Sequence, residues 1–210
     1  MIFLALLILP SIVLCAYPST IGTSYPNSQE LISGVYKLYW TSNATSITAE
    51  IQVLSTGWVA FGISPTGGMS GADAIVAWID ASGTTQFTDR YLSASRTATV
   101  DSTQNWFLLG SKQVNGYTCI QFTRLINTCD TTNDMVIPTG NAKVIVAYGS
   151  LPSSGGDISY HGATQRTTAS VLLISSLVTP EVITAADAVT NYTFATSVII
   201  LLKKKLTLSF

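Results

Sequence analysis

The sequence predicts an all-β fold, two antiparallel sheets packed face to face as an immunoglobulin-like β-sandwich, and three observations carry that prediction. From Gly34 onward, short runs rich in Val, Ile, Thr, Tyr, Phe and Trp are separated by Gly, Ser, Asn, Asp and Pro. Several runs alternate: Ile47, Ala49, Ile51 and Val53 share one face, and Thr48, Glu50 and Gln52 share the other. No stretch carries a capped helical stripe, so the apolar faces must be buried sheet against sheet.

Taken in order, the chain opens on MIFLALLILPSIVLCA, apolar throughout and ending in small residues. Residues 1 to 16 read as a secretory signal peptide, too short for a membrane span, and predict a secreted or surface-tethered protein. Nine strands are then expected: VYKLYWT (35 to 41), SITAEIQVL (46 to 54), GWVAFGI (57 to 63), AIVAWID (74 to 80), TTQFTDRYL (84 to 92), WFLLGSKQV (106 to 114), YTCIQFTRLI (117 to 126), KVIVAYG (143 to 149) and ASVLLIS (169 to 175). They place one sandwich domain over residues 30 to 176. Residues 177 to 210 begin as a Thr- and Ala-rich linker and end in TFATSVIILL, three lysines and LTLSF. Ten moderately apolar residues cannot cross a hydrocarbon core of about 30 Å as a helix. A lipid-anchor signal, a frayed end and a truncated end all fit this tail, which is the one segment offering membrane association.

Bulk composition narrows the function. A chain of 210 residues, 47% hydrophobic, can bury one substantial core, and a net charge of -1 leaves no electrostatic footprint for nucleic acid. Asn43 and Asn191 head glycosylation sequons, which matter only on a secretory route. Of three cysteines, Cys15 falls in the signal segment, leaving Cys119 and Cys129, for which one internal disulfide is the simplest reading in an oxidising compartment.

The residues able to carry chemistry are few. His161 is the only histidine, which excludes a self-contained copper redox site or catalytic zinc site, since these need two or three imidazoles. No G-x-S-x-G elbow accompanies it, so hydrolase chemistry has no nucleophile either. One histidine still suffices for heme, because the porphyrin supplies four ligands and His with Met is a known axial pair. Met69 is the methionine suited to that role: Gly67, Gly68 and Gly71 flank it and let the backbone approach a flat ligand. Trp58, Phe61, Trp78 and Tyr160 are candidates to wall a porphyrin and Arg166 to neutralise a propionate, although strand alternation alone accounts for the aromatic residues. Asp73, Asp80 and Asp89 are of the type that holds a hard cation such as calcium, and equally of the type that forms turns.

The segments GWVAFGISPTGGMSGADAIVAW, QFTRLINTCD, KVIVAYG and SYHGATQRTTASVLLI together resemble the DOMON domain of dopamine β-monooxygenase-like proteins and extracellular cytochromes. The resemblance covers about residues 30 to 175. It implies a β-sandwich in which Met69 and His161 match the axial ligands of heme-binding members. With both iron positions filled, it implies one-electron transfer to a redox partner or membrane-bound reductase rather than oxygen chemistry. The family also contains heme-free members, so the alternative is an accessory module for a sugar or protein ligand. Copper monooxygenase activity is not expected with one histidine. The resemblance matches Cys129 to a cysteine that links to the monooxygenase catalytic region, which would leave Cys119, or another chain, as its partner.

Overall fold

The computed structural model describes residues 16 to 175 apart from Thr23. Most of the expected signal segment, all of residues 177 to 210, and Asn191 lie outside the described residues. Eleven strands form the domain: β1 (Asn27–Ile32), β2 (Tyr36–Ser42), β3 (Ser46–Leu54), β4 (Val59–Ile63), β5 (Ala72–Ile79), β6 (Thr85–Leu92), β7 (Ala98–Val100), β8 (Trp106–Val114), β9 (Tyr117–Leu125), β10 (Gly140–Tyr148) and β11 (Arg166–Ile174). All pair antiparallel, in a five-stranded sheet ordered β1-β2-β3-β9-β8 and a six-stranded sheet ordered β11-β10-β4-β5-β6-β7. Two strands, β1 and β7, were not among the nine expected. Both are sheet edges, and their sequences NSQELI and ATV lack the apolar density that marks a buried strand.

The core lies between the sheets. Leu38, Ile47, Ile51, Phe122 and Trp106 from the five-stranded sheet meet Phe61, Ile63, Ile75 and Val144 from the six-stranded one. Phe61 packs edge-on to Trp106 at 6.2 Å and tilted to Phe122 at 5.7 Å between centroids, within the range of favourable aromatic pairs. In the same interior, Arg124 is fully buried, 2.7 Å from Asp73, and its guanidinium lies 4.9 Å from the Trp106 ring. The Glu50 and Gln52 side of β3 is also buried, because residues from Tyr17 to Tyr25 lie across it. There the Ile21 N–H donates to Glu50 and Gln121 donates to the Tyr25 hydroxyl.

The expected Cys119–Cys129 disulfide is absent; both thiols are free. Cys119 is buried early in β9, and the six residues from it to Leu125 carry the extended chain roughly 20 Å away. Cys129 lies four residues beyond Leu125, so a bond would need those residues to run back along β9 at almost full extension, whereas Cys129 is exposed in the following loop with a left-handed backbone, φ 65.

Candidate functional site

The outward face of the six-stranded sheet is paved with small residues. Along β4, Val59, Phe61 and Ile63 turn into the sandwich, which leaves Ala60 and Gly62 on the other side. On β5 the corresponding outward residues are Ala72, Ala74 and Val76. Gly62 is obligatory, because a Cβ there would lie 2.7 Å from the Ala74 Cβ. This flat floor underlies a cavity of about 1090 Å³, just above the usual range for cofactor sites.

Two loops close over the floor from opposite ends of the sheet. The β4–β5 loop, residues 64 to 71, leaves beside Ile63 and Val144 and carries Met69. The β10–β11 loop, residues 149 to 165, leaves at the other end, beside Val59 and Tyr148, and carries His161. Both side chains line the same cavity.

The Met69 loop is held by its own polar groups. The buried Ser64 hydroxyl donates to the Gly68 carbonyl at 2.6 Å and accepts from the Gly67 N–H at 2.8 Å. The Thr168 hydroxyl of β11 donates to the Gly67 carbonyl at 2.6 Å. Gly67 has φ +93 and a Cβ there would meet Thr168 at 3.0 Å, so its glycine is required; Gly68 meets neither condition. Met69 packs on Ala72, Ala74 and Leu92.

His161 Nδ1 lies 2.6 Å from the Gly162 carbonyl, an acceptor, so Nδ1 carries the proton in the neutral ring. The Nε2 lone pair is then free for a metal. The imidazole leans on Trp58 at 6.4 Å and on Tyr160 at 4.6 Å between centroids. Tyr160 is 72% exposed, whereas Trp58 is buried with an unpaired indole N–H.

Of the remaining expected site residues, Gly67, Gly68, Trp58, Tyr160 and Arg166 line the cavity with Met69 and His161. Phe61 does not. It is fully buried between the sheets, because β4 alternation turns it away from the floor that its neighbours Ala60 and Gly62 form. Gly71 shapes the end of the Met69 loop with φ +72, and neither it nor Trp78 lines the cavity. Sequence reasoning missed Arg96, Asp157 and the small-residue floor. The floor was legible as alanines and glycine alternating with core residues in VAFGI and ADAIV.

The three acids expected to gather around calcium do not do so. Asp80 caps the β5–β6 turn, accepting from Ser82, Thr84 and Gln86. Asp73 and Asp89 are inside the sandwich with Asp134, and Asp73 pairs with Arg124. Burial dominates the titration of this group. It pushes Asp73 and Asp134 above the usual carboxylate range and takes Asp89 to about 7. Asn43 is exposed in the β2–β3 turn, where its side-chain oxygen accepts from Thr45 and Ser46.

Residues 32 to 149 match the family model described as the DOMON domain. The chain belongs to the DOMON family. This DOMON chain is 34% identical to human "DBH-like monooxygenase protein 1" over 147 residues, 70% of the chain and 24% of that relative. It is 31% identical to Drosophila melanogaster "MOXD1 homolog 2" over 115 residues, 54% of the chain and 15% of that relative. The DOMON chain thus spans about a quarter or less of these relatives. Among solved structures, the cytochrome b domain of Coprinopsis cinerea pyranose dehydrogenase superposes with a TM-score of 0.51 at 19% identity, over 65% of this chain and 74% of that one. The cytochrome domain of Myriococcum thermophilum cellobiose dehydrogenase gives 0.52 at 12% identity, over 66% and 74%. At these identities the likeness establishes a shared fold.

Proposed function

We propose that this DOMON domain binds heme b with Met69 and His161 as axial ligands and serves one-electron transfer in the secretory or extracellular space. The observation that carries the reading is the convergence of Met69 and His161, from opposite ends of one sheet, on a single cavity with a flat, apolar floor. The residues present suit the group. Ala60, Gly62 and Ala74 leave room for a planar macrocycle, and the Nδ1 hydrogen bond directs the His161 lone pair through Nε2. Arg96 and Arg166 line the cavity as exposed cations suited to carboxylate side groups.

The bound iron porphyrin would supply a one-electron couple whose potential a thioether ligand raises. The protein's own contribution is positional. Ser64 and Thr168 hold the Met69 loop, the sheet excludes water from below, and Trp58 and Tyr160 brace the imidazole. Exposed Tyr160 puts an aromatic edge between His161 and solvent, where a redox partner such as a membrane-bound reductase would approach. The similarity to cytochrome domains supports this reading over a heme-free accessory module.

The test is absorption spectroscopy of the purified secreted protein, titrated with hemin and then reduced with dithionite. Sharp low-spin bands that vanish in Met69→Ala and in His161→Ala are expected. A protein that stays colourless after titration overturns the reading.

A further inference from the structure

The β10–β11 loop does more than connect two strands. It leaves β10, reaches β6 at Asp157 and returns to β11, so it crosses three strand spacings outward, about 14 Å, and roofs the floor. Along the way it has no regular structure. At its two bases, the Gly149 N–H donates to the Trp58 carbonyl and the Tyr148 N–H to the Gln165 carbonyl. Among the described residues, a single pair provides the polar tie between the interior of this loop and the sheet. Arg90 on β6 donates from Nη1 to Asp157 Oδ2 at 2.9 Å and from Nη2 to Oδ1 at 2.7 Å.

The chemistry of that tie is one-sided. The Arg90 side chain is 2% exposed, and two further donors go to the Thr88 hydroxyl and the Ala98 carbonyl. Asp157 is 64% exposed and supplies the countercharge. A buried guanidinium without its anion is costly, whereas the exposed aspartate alone is well solvated. The drive to keep the roof down therefore resides in Arg90. The lever is short as well: His161 follows Asp157 by four residues, which confines its Cα to within about 14 Å of the anchor Cα.

We infer that Arg90 and Asp157 are a positioning pair that latches the roof loop onto β6 and thereby holds His161 over the floor. The inference rests on the reading of His161 as an iron ligand for its spectroscopic consequence, and on the loop geometry alone for its mechanical one. Releasing the latch frees the segment that carries the ligand and opens the cavity for a planar guest.

Two measurements on the full chain separate these consequences. The first is hydrogen exchange of the Gly149 and Gly156 loop amides, which donate to the Trp58 and Ser153 carbonyls, in heme-free wild type, Asp157→Asn and Asp157→Glu. Asp157→Asn, at an exposed position, is expected to fold, to lower the urea midpoint because Arg90 loses its anion, and to raise exchange in this loop at least 10-fold while the β4 and β10 amides of the core stay protected. Asp157→Glu, which keeps the anion, is expected to restore much of the protection. Unchanged exchange in Asp157→Asn overturns the latch, whatever hemin does. The second is the hemin complex of each variant. Asp157→Asn is expected to shift it from low-spin toward high-spin bands, and free imidazole to restore the low-spin form. Raised exchange with an unaltered low-spin spectrum overturns the positioning of His161. If wild type binds no hemin while Asp157→Asn still loosens the loop, the heme reading fails and the latch stands.

Discussion

Replacing Arg124 by Met tests how the interior of the sandwich is held. The guanidinium is fully buried, lies 2.7 Å from Asp73 and 3.6 Å from Asp134, and sits over the Trp106 ring. Met keeps the volume and the contact with the ring but removes the charge. Asp73 retains the Trp106 indole N–H at 2.7 Å and the Met135 N–H at 3.0 Å, and it loses its cation. Breaking a buried pair from one side costs about 3–5 kcal/mol, against a total stability of about 5–15 kcal/mol. At about 2–4 °C per kcal/mol for a domain of this size, the melting temperature should fall by roughly 6–20 °C. The assay is urea denaturation at neutral pH, with thermal melting in parallel. Two further results follow from the same cause. The deficit should shrink as the pH is lowered, because Asp73, already pushed up by burial, takes a proton once the cation is gone. The double variant Arg124→Met/Asp73→Asn should be more stable than Arg124→Met alone. A loss below about 1 kcal/mol, or a double variant weaker than the single one, would refute the assignment of the pair as the electrostatic centre of the core.

Asp89 should make stability fall as pH rises. Burial lifts its carboxyl from 3.8 to about 7, so between those values the folded state holds a proton that the unfolded chain has lost. Urea midpoints should decline across that window, level off above it, and flatten in Asp89→Asn; an Asp89→Asn profile as steep as wild type contradicts this. The two thiols should differ in reactivity, since burial pushes Cys119 up to about 12 while Cys129 is exposed. One equivalent of a chromogenic disulfide reagent should react rapidly in the native protein and a second only on unfolding, and two fast equivalents would be the contrary result. In the Met69 loop, Gly67→Ala should cost about 1–2 kcal/mol for its left-handed backbone, and Gly68→Ala within about 0.5 kcal/mol. Equal losses in urea melts would show that the loop geometry is wrong.

The latch and the Met69 loop give the site a division of labour. Met69 sits in a loop held by hydroxyls that bond backbone at close range, from Ser64 and Thr168. His161 hangs on a long loop pinned by one ion pair. The first arrangement is local and stiff; the second can open without disturbing the sheets, because the Asp157 end of the pair is already solvated.

Much of this was written in local pattern. Alternation in SITAEIQVL placed Ile47, Ala49, Ile51 and Val53 in the core, and β3 and β8 have the bounds that their apolar runs predict, because side-chain period decides which residues share a face. Met69 and His161 stood out by rarity and by the glycines around the methionine. What sequence could not settle is anything decided by which strand lies beside which. Phe61 passed as a cofactor wall until the pairing of β4 turned it inward. Cys119 and Cys129 passed as partners until β9 buried one thiol and the loop beyond it left the other exposed. The edge strands β1 and β7 have no pattern of their own because pairing from one side stabilises them. Arg90 and Asp157 carry no signal at all in sequence, since a charge in a strand and a charge in a loop are each ordinary. Their meeting depends on a roof that crosses the sheet, and long-range contact is a property of the folded chain rather than of any segment of it.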